Sequence, residues 1–239
     1  MAHYPKTLII IPAFNEADSI AQVVANIRQE AHWADVAVMD DGSMDDTGTM
    51  AAAAGAMVLR LPYNVGIGAS VQTGFLLAEA LGYEVVIRND GDGQHAPDDI
   101  PHMLAALTEG DADIIIGSRY LEDRGYSGSA ARRFGSLILA KLISTIIGQP
   151  VTDPTSGFIA CNQHAIRLCA QIYPHDYPEP ESIVLMHRAR LRLREMPVTM
   201  QARMGGQSSI TAFRSGYYMV KVILAILVGL LRPAPMLER

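Results

Sequence analysis

Asp90 and Asp92 stand two residues apart in the stretch Arg88-Asn89-Asp90-Gly91-Asp92-Gly93-Gln94-His95, directly after the apolar run Glu84-Val85-Val86-Ile87. Residues two apart on a strand face the same way, so both carboxylates leave the strand end toward one point. Hard oxygen donors in that arrangement suit Mg2+ or Mn2+, which proteins hold through one or two carboxylates while phosphates and water complete the shell. The glycines at 91 and 93 let a diphosphate come close to the backbone. A short Asp-Gly-Asp segment also occurs as an ordinary surface turn, so its chemistry depends on what else reaches the same edge.

The elements that would position these residues alternate in kind. Thr7-Leu8-Ile9-Ile10-Ile11 reads as a central strand covered on both faces, followed by the loop Pro12-Ala13-Phe14-Asn15-Glu16. A helix begins near Ala17, with Ile20, Val23, Val24 and Ile27 on one face. Val36 to Met39 forms the next strand, ending at Asp40-Asp41-Gly42-Ser43, and an alanine-rich helix runs to about Ala54. A strand over 56–60, a loop at Asn64-Val65-Gly66 and a helix to about Leu81 make the third unit. Gly66-Ile67-Gly68 does not fit a dinucleotide-binding fingerprint, because the third glycine is missing and the segment is not in the first unit. After the acidic stretch, Pro97-Asp98-Asp99 opens a helix that buries Ile100, Met103, Leu104 and Leu107, and Asp113 to Ile116 is another buried strand. The alternation predicts an α/β fold with a mostly parallel central sheet flanked by helices, whose ligands bind beyond the carboxyl ends of the strands.

Beyond Gly117-Ser118-Arg119 the pattern loosens: a polar stretch over 120–136 carries Arg124, Arg132 and Arg133, and an apolar helix covers Leu137 to Ile147. Thr152 to Phe158 returns to a short strand, Gln163–Ile172 is helical, Tyr177-Pro178-Glu179-Pro180-Glu181 precedes another helix, and Arg192 to Met200 is extended. Arg203 lies in a loop ahead of Gly206 and Ser208. Tyr217 to Leu231 predicts an apolar C-terminal helix with Lys221 as its one charge. At roughly 22 Å it is shorter than a bilayer core of roughly 30 Å, so it lies on a membrane, on a small membrane protein or on the chain's own core. With no linker before it, 1–209 reads as one catalytic domain, with halves 1–119 and 120–209, and 210–239 as the C-terminal helix and tail.

At 239 residues, with 49% hydrophobic and 18% charged side chains, the chain has material for a sizeable core. The net charge of −6 is divided unevenly: residues 1–118 hold 17 acids and 4 bases, residues 119–239 hold 8 acids and 15 bases. The acidic half disfavours nucleic acid and suits a cation; the basic half suits phosphates or a membrane surface. The first residues lack the apolar core of a signal peptide, which predicts cytoplasmic residence. Cys161 and Cys169 match no metal spacing and read as reduced, partly buried thiols.

Together, Pro12-Ala13-Phe14-Asn15-Glu16, Asp40-Asp41-Gly42-Ser43, Asn64-Val65-Gly66, Asp90-Gly91-Asp92-Gly93-Gln94-His95 and Gly117-Ser118-Arg119 resemble the inverting family 2 glycosyltransferases. Asp153-Pro154-Thr155-Ser156-Gly157-Phe158 and Arg203 look like the dolichol-phosphate mannose synthase and polyprenyl-phosphate glycosyltransferase branch. The resemblance implies the GT-A (nucleotide-diphospho-sugar transferase) fold, a nucleotide-sugar donor and Mg2+ or Mn2+. It implies that Pro12, Ala13, Asn15, Glu16, Asp41 and Gly66 line the nucleoside pocket. Asp92 would be the principal metal ligand, with Asp90 and Gln94 completing the protein share or meeting the ribose. Arg119, Arg132 and Arg203 would face phosphate, and Arg88-Asn89 ahead of the carboxylates is less usual.

The reaction expected is transfer of a hexose-type sugar, from a UDP-sugar by preference or a GDP-sugar otherwise, to a polyprenyl phosphate at the inner face of the cell membrane. A sugar hydroxyl as acceptor would need a general base, for which Asp153, Glu179 and Glu181 are candidates; a phosphate monoester is already largely dianionic. The alternatives are a transferase of the same fold acting on a sugar hydroxyl in cell-wall or polysaccharide synthesis, and a noncatalytic nucleotide-sugar-binding scaffold. Self-association into a homo-oligomer is compatible with any of these.

Overall fold

The computed structural model describes residues 4–122, 130–201 and 212–235. They form one seven-stranded sheet in the order β3-β2-β1-β4-β6-β5-β7. The central β1 (Thr7–Ala13) pairs in parallel with β2 (Asp35–Asp40) and with β4 (Val85–Arg88). β3 (Met57–Arg60) lies parallel outside β2, and β7 (Leu193–Pro197) parallel outside β5 (Ile114–Ser118). The exception is β6 (Ile159–Asn162), antiparallel to both β4 and β5. Its direction follows from where the chain re-enters: Asp153 meets Arg119 at the carboxyl end of β5, so the next strand runs back from that edge.

The two-fold alternation of β1 separates the core into two layers. Leu8 and Ile10 face α3 (Ile67–Ala80), α5 (Ala130–Ile147), α6 (Gln163–Gln171) and α7 (Pro178–Arg188), in one cluster with Phe75, Ile143, Cys169 and Val184. Ile9 and Ile11 face α1 (Ile20–Glu30), α2 (Thr47–Ala53) and α4 (Asp99–Thr108), in a second cluster with Val24, Ile27, Ile100 and Met103. Every residue of β1 is buried, which explains why it reads as an unbroken apolar run. Cys161 and Cys169 are free and fully buried, and burial pushes both thiols up.

Four helix starts, the last of them that of the C-terminal helix, differ from the sequence expectation. α1 starts at Ile20 because Ser19 and Ile20 both donate to the Glu16 carbonyl, making a turn of 17–19. α5 starts at Ala130, so Arg132 and Arg133 belong to a helix. α7 starts at Pro178, which places Glu179 and Glu181 inside its first turn; proline is tolerated there because the first N–H groups have no helical partner.

The last helix, α8 (Ala212–Leu231), begins earlier than Tyr217 and docks on α7 and α5 through Val222 and Ile226, which are buried one turn apart. Val220, Leu224, Leu227 and Leu231 are exposed. Among the described residues no helix is long and apolar enough to cross a membrane.

Candidate active site

A cavity of about 510 Å3 lies beyond the carboxyl ends of β2, β1 and β4. Pro12, Ala13 and Glu16 reach it from β1 and its loop, Asp41 from the end of β2, Gly66 from the start of α3, and Asp90 and Asp92 from the loop after β4. Seven expected residues from four separate loops therefore share one cavity. Phe14, Ile67, Ser70, Arg88 and Glu179 also line it.

The loops are tied to one another by their own polar groups. Asp41 accepts hydrogen bonds from Val65 N–H at 2.8 Å and Gly66 N–H at 3.0 Å, one on each carboxylate oxygen. Asn15 adopts φ 54°, a region asparagine tolerates better than most residues, and its side-chain oxygen accepts from Met44 N–H at 2.9 Å. Asn15 is absent from the cavity lining and joins the first loop to the second instead, because its side chain is spent on that backbone contact. Ser19 Oγ donates to Glu16 Oε2 at 3.0 Å and lies 2.9 Å from the Gly91 carbonyl, connecting the first loop to the acidic motif.

Arg88 explains the unusual residue ahead of the carboxylates. It is 2% exposed at the end of a central strand, where a charge survives only if paired. Its Nη2 donates to Glu179 Oε1 at 2.7 Å and to Asp90 Oδ1 at 3.2 Å. The other Asp90 oxygen meets His95 Nε2 at 3.3 Å, and the His95 ring stacks on Phe158 with centroids 4.8 Å apart. Burial opposes ionisation of Asp90, but Arg88 and His95 outweigh it and hold the carboxyl well below the usual range.

Asp92 is 8% exposed, and its Oδ1 accepts from Gln94 N–H at 3.0 Å. Gln94 contributes its backbone N–H to this contact and is absent from the cavity lining. Asp90 has both oxygens engaged, one by Arg88 and the other by His95. Among the described residues no three His, Cys, Asp or Glu side chains gather as a closed metal cage. One or two carboxylates beside a large polar cavity fit Mg2+ or Mn2+ sharing its shell with phosphates and water.

The second half places its candidates differently. Arg119 Nε and Nη2 donate to Asp153 Oδ2 and Oδ1, each at 2.6 Å, and Arg119 N–H adds a third bond at 3.1 Å. Asp153 is fully buried and neither residue lines the cavity, so the carboxylate expected as a base is occupied as the partner of a guanidinium. Burial and the Asp176 carboxylate raise Glu181. Arg132 lies on the α5 backbone with its side chain outside the described residues, and Arg203 lies outside them altogether. Arg88 and Ser70 were not singled out for the site from sequence. For Arg88 the available signal was a lone charge closing an otherwise apolar strand.

Comparison with known proteins bears on the family and the fold. Residues 8–168 match the sequence profile of Glycosyl transferase family 2. The chain is 31% identical over 171 residues to polyprenol monophosphomannose synthase of Mycolicibacterium smegmatis, covering 67% of this chain and 63% of that one. It is 29% identical over 226 residues to undecaprenyl-phosphate mannosyltransferase of Micrococcus luteus, covering 91% and 92% respectively. Its fold superimposes on glucosyl-3-phosphoglycerate synthase from Mycobacterium tuberculosis, solved with Mn2+, uridine-diphosphate and glucosyl-3-phosphoglycerate. The TM-score is 0.74 at 20% identity, over 94% of this chain and 79% of that one. The α/β architecture is thus GT-A-like.

Proposed function

The chain belongs to glycosyl transferase family 2 and is a glycosyltransferase, and from that premise we propose that it moves a hexose from a nucleotide sugar to a polyprenyl phosphate with inversion. The observation that carries this reading is the single cavity into which Glu16, Asp41, Asp90 and Asp92 converge. Glu16 and Asp41, beside β1 and β2, supply acceptors for the base and ribose. Asp92 and its partner Asp90 are the residues that would hold Mg2+ or Mn2+, and the bound ion supplies charge stabilisation for the departing nucleoside diphosphate. The solved neighbour holds Mn2+ and uridine-diphosphate, which supports a UDP-sugar as first choice, with a GDP-sugar as the alternative.

The state of the candidate bases favours a phosphate acceptor over a hydroxyl. Asp153 is bound at both oxygens by Arg119 and, like Glu181, lies outside the cavity lining, and Glu179 has one oxygen bound by Arg88. A phosphate oxygen arrives already ionised and attacks the anomeric carbon without a base. Both mannosyltransferase relatives are named for lipid phosphates, which supports the same choice. Membrane approach falls to α8, whose exposed Val220, Leu224, Leu227 and Leu231 accompany the cationic Lys221 and Arg232, with the chain peripheral on the cytoplasmic face.

The test is transfer by purified protein in Mn2+ from labelled UDP- and GDP-hexoses to polyprenyl phosphate in detergent. The expected result is an organic-soluble sugar lipid whose formation stops on chelation. Glycosylation of a soluble sugar acceptor with no lipid product would overturn the acceptor assignment.

A further inference from the structure

We propose that Glu179, held in place by Arg88, is the residue that recognises hydroxyl groups of the transferred sugar. The inference rests on the nucleotide-sugar reading of the cavity and adds to it the part of the donor that no other residue has been assigned to read.

The order of the strands sets the direction of the donor. Glu16 and Asp41 stand at β1 and β2, Asp90 and Asp92 at β4, and Glu179 enters from α7 on Arg88, the last residue of β4. A nucleoside at β2 and β1 with its diphosphate at β4 carries the sugar onward to Glu179. Glu179 Oε1 is committed to Arg88 at 2.7 Å, whereas Oε2 takes no hydrogen bond among the described residues and the side chain lines the cavity. A carboxylate only accepts hydrogen bonds, so it repels a diphosphate and suits a donor of O–H groups. The charge on Arg88 is balanced by two carboxylates, so it acts as a positioning residue for both rather than as a phosphate clamp.

The backbone around Glu179 is fixed in advance. Pro178 and Pro180 occupy the first and third positions of α7, where they lock φ at no cost in helical hydrogen bonds. Ser182 Oγ donates to the Glu179 carbonyl at 2.9 Å. A rigid acceptor of this kind discriminates among hydroxyl arrangements better than a mobile one.

Binding calorimetry in Mn2+ separates the sugar from the nucleotide. The probes are UDP and GDP, and then UDP-glucose, UDP-galactose, UDP-N-acetylglucosamine and GDP-mannose. For Glu179→Gln the affinity of the preferred nucleoside diphosphate should stay within about twofold of the unaltered protein. The affinity of its best nucleotide sugar should fall roughly tenfold or more, as expected for loss of a charged acceptor. Equal weakening of both ligands, or of neither, would overturn the assignment. Thermal unfolding followed by circular dichroism verifies that the variant is folded. Should it not be, Glu179→Asp keeps a carboxylate near Arg88 but withdraws it by one methylene, and the same selective loss supports the proposal while parallel or absent loss overturns it. An unaltered protein that binds none of the six probes would sink the nucleotide-sugar reading itself, and with it this inference, before any variant is made.

Discussion

Arg119 grips Asp153 through both carboxylate oxygens at 2.6 Å, and the backbone N–H of Arg119 adds a third bond to the same carboxylate. Asp153 is fully buried and the Arg119 side chain is 12% exposed, so the pair joins the end of β5 to the segment that feeds β6. Glu195 supports that segment from β7 by accepting from the N–H groups of Thr152 and Asp153 at 2.9 Å.

Removing one member of such a pair leaves the other charge buried. Asp153→Ala should therefore destabilise the fold by about 3–5 kcal/mol, read as a shift in the urea midpoint. The double variant Asp153→Leu with Arg119→Met should recover a large share of that loss, because it removes both charges. A single variant with wild-type stability would show that the contact contributes nothing.

Gly157 is the point where the second half presses on the acidic motif. A Cβ there would lie 2.8 Å from Arg88 Nη2 and 3.0 Å from both Asp90 oxygens. Those side-chain ends are held by Glu179 and His95, so they yield only by breaking their own contacts. Gly157→Ala should lower turnover by roughly 10–100-fold, since small displacements of positioning groups are costly in rate. Unchanged steady-state kinetics would mean that the Arg88–Asp90 geometry is not needed.

At acid pH the stability should depend on Asp113. Burial raises its pKa, but hydrogen bonds from the Arg192 side chain and backbone and from Asn162 outweigh it, and the value falls from 3.8 to about 2. A carboxyl whose pKa is lower in the folded state stabilises above its unfolded pKa and loses that contribution as pH drops through the folded one. Stability should thus decline between pH values of about 4 and about 2, and Asp90 adds to the same acid limb. Asp113→Asn should flatten this part of the profile in urea titrations across that range; an unchanged slope would remove Asp113 from the account.

The sequence reveals the donor side better than the acceptor side for a physical reason. Loops immediately after strands β1, β2 and β4 inherit their position from the sheet, so Glu16, Asp41, Asp90 and Asp92 could be placed together from short local patterns. The contacts that fix the rest join distant positions: Arg88 to Glu179 across 91 residues, and Arg119 to Asp153 across 34. No local periodicity reports such pairings. Gly68 makes the same point. Gly66-Ile67-Gly68 does not fit the dinucleotide-binding fingerprint, and a Cβ at Gly68 would press into the Pro174 carbonyl, so close packing of α3 on the chain before α7 accounts for that glycine.

The two carboxylates of the acidic motif should separate by variant. Asp92 lines the cavity with Oδ1 oriented by Gln94 N–H, whereas Asp90 is bound by Arg88 and His95. Asp92→Ala should abolish the rise in melting temperature that Mn2+ with a nucleoside diphosphate produces in the unaltered protein, and should lower transfer by roughly 100-fold or more. Asp90→Asn instead leaves Arg88 with only Glu179 as charge partner, so it should lower the melting temperature of the free protein as well. Its response to Mn2+ should persist in weakened form, because Asp92 is still present. Identical behaviour of the two variants in the free protein and with Mn2+ would show that both carboxylates serve the ion alike.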